Sequence, residues 1–275
     1  MTIIKMHTMR KKLLFLLSVC LFFQLIYAQD NFTVIKVTGN IVIERTGSSL
    51  GIGTSFAQNE NLLFKIPDSR AAVINPQRGR FLLTSQNLGE FKNSKSNFLP
   101  AAGKISTRGF IKKQTLNDLK DQFEGSYVIL DETRIIIDSS LLPMNSKKFF
   151  YVTYDYNNKP VNKKLAFNFD TLIIKKNELF IVDGKEIPDI KINQMKLMYL
   201  EQGETYNSML ISSFTPVFPD NKTLTQEVKI ILDQMEMNPY KEKLYEVSSF
   251  FQEFYGKIDE TSLKIWLKDN FSLRQ

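Results

Sequence analysis

Apolar residues recur at every second position through the middle of this chain and at helical spacing through its last quarter. Phe150, Val152, Tyr154 and Tyr156 interleave with Tyr151, Thr153 and Asp155, and Leu165, Phe167 and Phe169 interleave with Ala166, Asn168 and Asp170. Alternation of this kind puts one face of a strand on a core and the other towards water. Asn157-Asn158-Lys159-Pro160 separates the two runs, and Asn177-Glu178 and Asp183-Gly184 mark further tight turns around a short strand at 179–182. Residues 126–218 therefore read as an antiparallel β-meander. From about Asn221 the period lengthens. Leu224, Val228, Ile231, Leu232 and Met235 form one helical stripe, and Leu244, Val247, Phe251 and Phe254 form a second. Asn238-Pro239 ends the first helix and opens the next, because proline disfavours helical geometry in the residue before it. Gly256 closes the second helix, and Asp259 is an N-cap for a third bearing Leu263, Trp266 and Leu267. Residues 219–275 are thus a small helical tail.

Residues 29–100 carry shorter strands punctuated by turns. The run 32–38, the reversal Gly39-Asn40 and the run 41–45 predict a hairpin, since both turn residues accept positive φ. Further strands are predicted at 62–66, 71–75 and 80–83, with Pro67-Asp68 and Pro76-Gln-Arg-Gly79 between them. This spacing describes a compact all-β unit. Residues 101–125 are a polar connector with one helical turn at 116–123. The expected fold class is α+β: an N-terminal all-β module, a second antiparallel β-meander and a small C-terminal helical tail.

Composition changes the picture at the N-terminus. Lys5, Arg10, Lys11 and Lys12 precede an apolar run of about 15 residues, shorter than the about 20 that span a bilayer, and Ala28 supplies a small residue for cleavage. Residues 1–28 read as a signal peptide, with no stable membrane span once it is removed and a periplasmic or extracellular destination. His7 and Cys20, the sole histidine and sole cysteine, lie inside it. A mature chain without them has no Ser-His-Asp or Cys-His machinery, no disulfide and no His- or Cys-ligated metal. Removal also takes away four positive charges and no negative one, so the net charge falls from +7 to +3. That is too small an excess to argue for nucleic-acid binding, and the basic run from Lys104 to Lys113 reads as solvated linker.

A resemblance then appears. Val37-Thr-Gly39-Asn-Ile-Val-Ile43, the glycines at 51 and 53, Asp68-Ser-Arg70-Ala-Ala-Val-Ile74 and Pro76-Gln-Arg-Gly79 together resemble a FecR-type domain, with Gly53-Thr54 where that family has Gly-Asp. The similarity covers roughly residues 32–84. It implies an extracytoplasmic β-module used in sensing or protein contacts, and no catalytic residue carries over.

The remaining candidate chemistry is thin. The turn from Gly47 to Thr54 has glycines but no lysine and runs from strand to strand, which is not a phosphate loop. No serine of the mature chain has a lysine three residues on. Asp155, Asp170, Asp183, Glu186 and Asp189 could supply a carboxylate pair for glycan hydrolysis, but strand phase and turn position account for Asp155, Asp170 and Asp183. No calcium loop, cofactor motif or metal-ligand spacing is present. Contact residues are a further candidate: Tyr151 points away from the core phase of its strand, and Phe250, Tyr255 and Trp266 give the tail more aromatic surface than one stripe requires, with packing on the body of the same chain as the default reading and a partner groove as the alternative. The chain reads as an exported, non-enzymatic binding, sensor or adaptor protein of the bacterial cell envelope with an envelope protein as partner. The alternative is a carboxylate-based glycan hydrolase or a carbohydrate-binding module. Mass spectrometry of the exported protein should find its N-terminus near Gln29; full-length chain in the cytosol would contradict the leader.

Overall fold

A computed structural model describes residues 31–95, 113–182, 184–187 and 192–273. The leader 1–28, most of the basic run, and Asp183 and Asp189 lie outside them. The chain divides into two compact units, residues 1–98 and 99–275, and it is β-rich with antiparallel sheets and helices near its C-terminus. No helix among the described residues is long and apolar enough to cross a membrane.

The first unit contains β1 (Asn31–Thr38), β2 (Ile41–Ile43), β3 (Ser55–Ala57), β4 (Leu62–Phe64), β5 (Arg70–Asn75), β6 (Gly79–Thr84) and α1 (Leu88–Asn93). The strands predicted at 62–66, 71–75 and 80–83 are present. An antiparallel sheet runs in the order β3-β1-β5-β6, while β2 and β4 form a separate pair. The expected β1–β2 hairpin is therefore not formed. Gly39, at φ +82, makes a corner against the loop before β5, where a Cβ would sit 2.4 Å from the Ser69 hydroxyl. That hydroxyl accepts from the Asn40 N–H at 2.9 Å and donates to the Asn40 carbonyl at 3.2 Å. The glycine serves a close approach, and β2 peels away to meet β4. Phe91 of α1, a helix that the strand-and-turn reading of this region did not include, is fully buried with its ring edge-on to Phe32. Arg78 ties the end of this unit together, donating to Gln58 Oε1 and the Ser94 carbonyl, each at 2.8 Å.

The second unit contains α2 (Leu116–Gln122), β7 (Gly125–Val128), β8 (Glu132–Ile136), β9 (Lys148–Tyr156), β10 (Lys159–Lys164), β11 (Ala166–Asn168) and β12 (Thr171–Lys175). It continues with α3 (Lys176–Leu179), β13 (Ile181–Val182), β14 (Lys185–Glu186), β15 (Met195–Gln202) and β16 (Tyr206–Val217). The tail supplies α4 (Asn221–Gln234), α5 (Tyr240–Phe254) and α6 (Glu260–Phe271). One sheet has the order β10-β9-β15-β16-β7 and another β11-β12-β8. Their inward residues share one core: Phe150, Val152, Tyr154, Leu197, Tyr199 and Phe214 from the first, Ile135, Leu172 and Ile174 from the second.

The meander expectation is corrected in four places. β9 pairs with β15 instead of continuing to β11, and β7 pairs with β16 in parallel. The alternation read across 165–170 holds at Leu165, which is buried, and fails at Phe169, which lies in a turn at φ +52, 89 % exposed. Asn177-Glu178 falls in the short helix α3 and not in a tight turn. The connector expectation changes too, because α2 places Leu119 and Phe123 in the core of the second unit.

The tail has the predicted helices and the predicted Asp259 cap, and Asp220 caps the first helix as well. The Asp220 and Asp259 side chains accept from the Thr223 and Ser262 N–H groups. Between α5 and α6 the backbone behaves as a short extra strand: Lys257 N–H donates to the Ser126 carbonyl at 2.9 Å, and Val128 N–H donates to the Lys257 carbonyl at 2.8 Å. Ser262 then accepts from the Arg134 N–H at 3.0 Å on the rim of β8. Gly256 makes this junction at φ +121, with a Cβ position 2.4 Å from the Ser126 carbonyl oxygen. Gly256→Ala should therefore cost about 1–3 kcal/mol of strain and lower the thermal midpoint by several degrees. An unchanged midpoint in a melting experiment would show that the junction does not hold the tail.

Candidate functional site

The strand β9 is apolar in both phases. Phe150, Val152 and Tyr154 enter the core, while Phe149, Tyr151 and Thr153 stand half-buried on the opposite face. The same holds for β15, where Leu197 and Tyr199 go inward and Lys196, Met198 and Leu200 go outward. Register places Tyr151 beside Met198 and Phe149 beside Leu200. It then continues to Leu210 and Ser208 on β16. The outer face of this sheet thus carries Phe149, Tyr151, Met198, Leu200 and Leu210, with Tyr206 at its end. The Lys164 ammonium lies 3.9 Å from the centre of the Phe149 ring, and the Tyr151 and Ser208 hydroxyls are 2.6 Å apart. An apolar strip with a few fixed hydroxyls and lysines at its margin is suited to contact with another macromolecule.

Of the four residues singled out from the sequence, only Tyr151 belongs to this face. Phe250 is fully buried among the rings of Phe251, Phe254 and Tyr255. Trp266 is buried and its Nε1 donates to Asn221 Oδ1 at 3.0 Å. Tyr255 is half-buried and donates to Glu227 Oε2 at 2.5 Å, and burial together with that carboxylate pushes its hydroxyl far above the ordinary tyrosine range. These three rings hold the tail helices to one another. Helical phase showed that the aromatic surface was wide but not that α4 and α6 flank it. Phe149, Met198, Leu200, Tyr206 and Leu210 were not singled out. Their signal was present as apolar residues in the supposedly polar phase of β9 and β15.

The carboxylates are scattered. Asp155 lines a cleft of about 250 Å³ with Thr153, Tyr154, Ile192, Asn193, Gln194 and Lys196, and it is the one acid among the described residues there. Asp170 is 3.3 Å from the Lys113 ammonium, and Glu186 is exposed on β14. The acids whose titration is displaced are local caps and turns. Hydrogen bonds from Ser140 and Thr223 lower Asp138 and Asp220, respectively. Burial raises Asp259. Tyr199, raised to about 12 by burial and by Glu201, donates to the Pro143 carbonyl at 2.7 Å. Among the described residues no group of three or more His, Cys, Asp or Glu side chains is placed to hold a metal.

No family model and no curated protein matches this chain. Among solved structures it is similar to the N-terminal four Ig domains of Dscam1 isoform 8.4, at 10% identity and a TM-score of 0.18, over 68% of this chain and 44% of that one. The chain thus spans under half the length of that structure, and a likeness at this level carries no argument about fold or function.

Asp259 gives a pH-dependent stability with a defined sign. Its folded pKa lies above the unfolded value of about 3.9, so the unfolded chain ionises first. Its contribution is full below that value and is lost as pH rises through the raised folded value. Asn is as good an N-cap as Asp, so Asp259→Asn should remove this loss. Denaturant midpoints measured from pH 3 to pH 7 should fall less for the variant; parallel curves would contradict a buried, ionisable cap.

Proposed function

We propose that this chain is an exported, non-enzymatic adaptor or sensor module of the bacterial cell envelope that works by binding another protein. The observation that carries the reading is the outer face of the five-stranded sheet, where Phe149, Tyr151, Met198 and Leu200 form a contiguous apolar strip on strands whose opposite face already fills the core. A sheet with one solvated face ordinarily makes that face polar. The resemblance of residues 32–84 to FecR-type domains supports an extracytoplasmic sensing or contact role for the first unit. The leader-like residues 1–28 support export.

A carbohydrate platform is the competing use of the same face, since Tyr151 and Phe149 offer ring surface beside Asn162, Thr153 and Ser208. The protein reading is favoured because Met198, Leu200 and Leu210 make the strip continuously aliphatic between the rings, which suits a protein surface better than spaced sugar units. The hydrolase reading gains no support from the cleft beside β9, where Asp155 is the one acid among the described residues.

Crosslinking and pull-down from the envelope fraction should capture one protein companion with the native chain, and Met198→Glu and Leu200→Glu should each reduce capture at least tenfold without loss of fold by circular dichroism. Equal capture by the variants would move the contact elsewhere. Retention on envelope glycan, or turnover of it, would replace the reading.

A further inference from the structure

The rims of the five-stranded sheet are not treated alike. β10, at one rim, carries Lys159, Pro160, Lys163 and Lys164, which discourage pairing with another strand. β7, at the other rim, is covered by the Lys257 backbone. β7, however, pairs only with Phe214 to Val217 of β16. The first half of β16, from Tyr206 to Leu210, extends beyond it with no backbone partner on that side among the described residues. From Tyr206 to Leu210 this rim lacks the charged side chains and proline that usually protect an edge, although α2 packs against the same strand further along, where the Ser212 hydroxyl donates to the Phe123 carbonyl at 3.3 Å.

Its backbone groups face outward in a fixed pattern. Gln202 N–H donates to the Lys147 carbonyl at 2.8 Å, away from β16. Gln202 and Tyr206 are partners in register, so theirs is a pair whose backbone groups point apart. By alternation the N–H and C=O groups of Tyr206, Ser208 and Leu210 all point to the open rim. Their side chains lie on the outer face, where Tyr206 is 72% and Leu210 48% exposed.

We infer that this rim pairs with the same rim of a second copy, antiparallel, about a two-fold axis at Ser208. In that register Ser208 faces Ser208 of the other copy, Tyr206 faces Leu210, and Asn207 faces Met209. The two large exposed apolar side chains of the strand thus meet each other twice, in an aromatic–aliphatic cross-strand pair of a stabilising kind. No like charges oppose, and the outward backbone groups of three residues per copy are satisfied. A second copy is the occupant favoured by this evidence because the strand is complementary to itself in its apolar positions and in its lack of charge. Such an isologous contact closes after two chains. One strand rim buries less than the about 1,200 Å² of a permanent interface, so association in roughly the micromolar range is expected. This inference does not rest on the proposed envelope partner.

Sedimentation of the full chain from about 1 to 100 μM should show a monomer–dimer equilibrium. Ser208→Lys sets two ammonium groups against each other at the axis and should weaken dimerisation at least tenfold, with circular dichroism and thermal midpoint unchanged. A second variant gives a positive signal. In a Cys20→Ser background, Ser208→Cys should form a disulfide-linked dimer under mild oxidation, because facing residues of such a pair lie about 5.5 Å apart at Cα, inside the range a disulfide spans. Asn162→Cys, on the lysine-protected rim, should not. A chain that stays monomeric at 100 μM, a dimer indifferent to Ser208→Lys, or equal crosslinking from position 162 would each overturn the inference. The first of these outcomes would leave the rim to a strand from a different protein.

Discussion

Backbone N–H and C=O groups at the rim of a sheet must find partners, and in the second unit that requirement explains where the tail lies. The segment between α5 and α6 supplies Lys257 as a partner for Ser126 and Val128, and Ser262 as a partner for Arg134. Gly256 is what lets the chain come that close. With these contacts made, α6 reaches β8 and the tail becomes part of the second unit's structure. The three helices are short, and helices of their length depend on tertiary packing more than on intrinsic propensity.

That docking decides which aromatic residues are available for contacts. Phe250, Phe251, Tyr255 and Trp266 are consumed in joining α4, α5 and α6, and Glu227 accepts from Tyr255 inside the same cluster. The surplus apolar surface lies instead on β9 and β15, whose strands are apolar in both phases. On the other face Phe149, Met198 and Leu200 are only half-buried against their cross-strand neighbours, so much of their apolar surface is left for a covering partner.

Much of the secondary structure was legible in the sequence because it rests on local signals. The tail helices follow from apolar period, Asn238-Pro239 and the Asp259 cap, and the strand phase of Phe150, Val152 and Tyr154 is as the alternation predicts. What was not legible depends on long-range pairing. Gly39-Asn40 has the composition of a hairpin turn, but its geometry is set by Ser69, about thirty residues away. The crossing from β9 to β15 leaves no local mark. Tyr151 could be assigned from phase alone, whereas Phe250 and Trp266 could not, since helical phase fixes a direction and not the neighbour in that direction.

The outer face and the open rim are not independent features, because Tyr151 and Ser208 join them. Ser208 has its backbone at the rim and its hydroxyl 2.6 Å from that of Tyr151 in the centre of the apolar strip. Pairing at the rim would extend the strip across two copies, doubling the surface offered to one partner. Two weak sites held in fixed relation bind more tightly than either alone. A pair joined at the rim would therefore offer its partner a larger surface than either chain alone, with no new contact needed per chain.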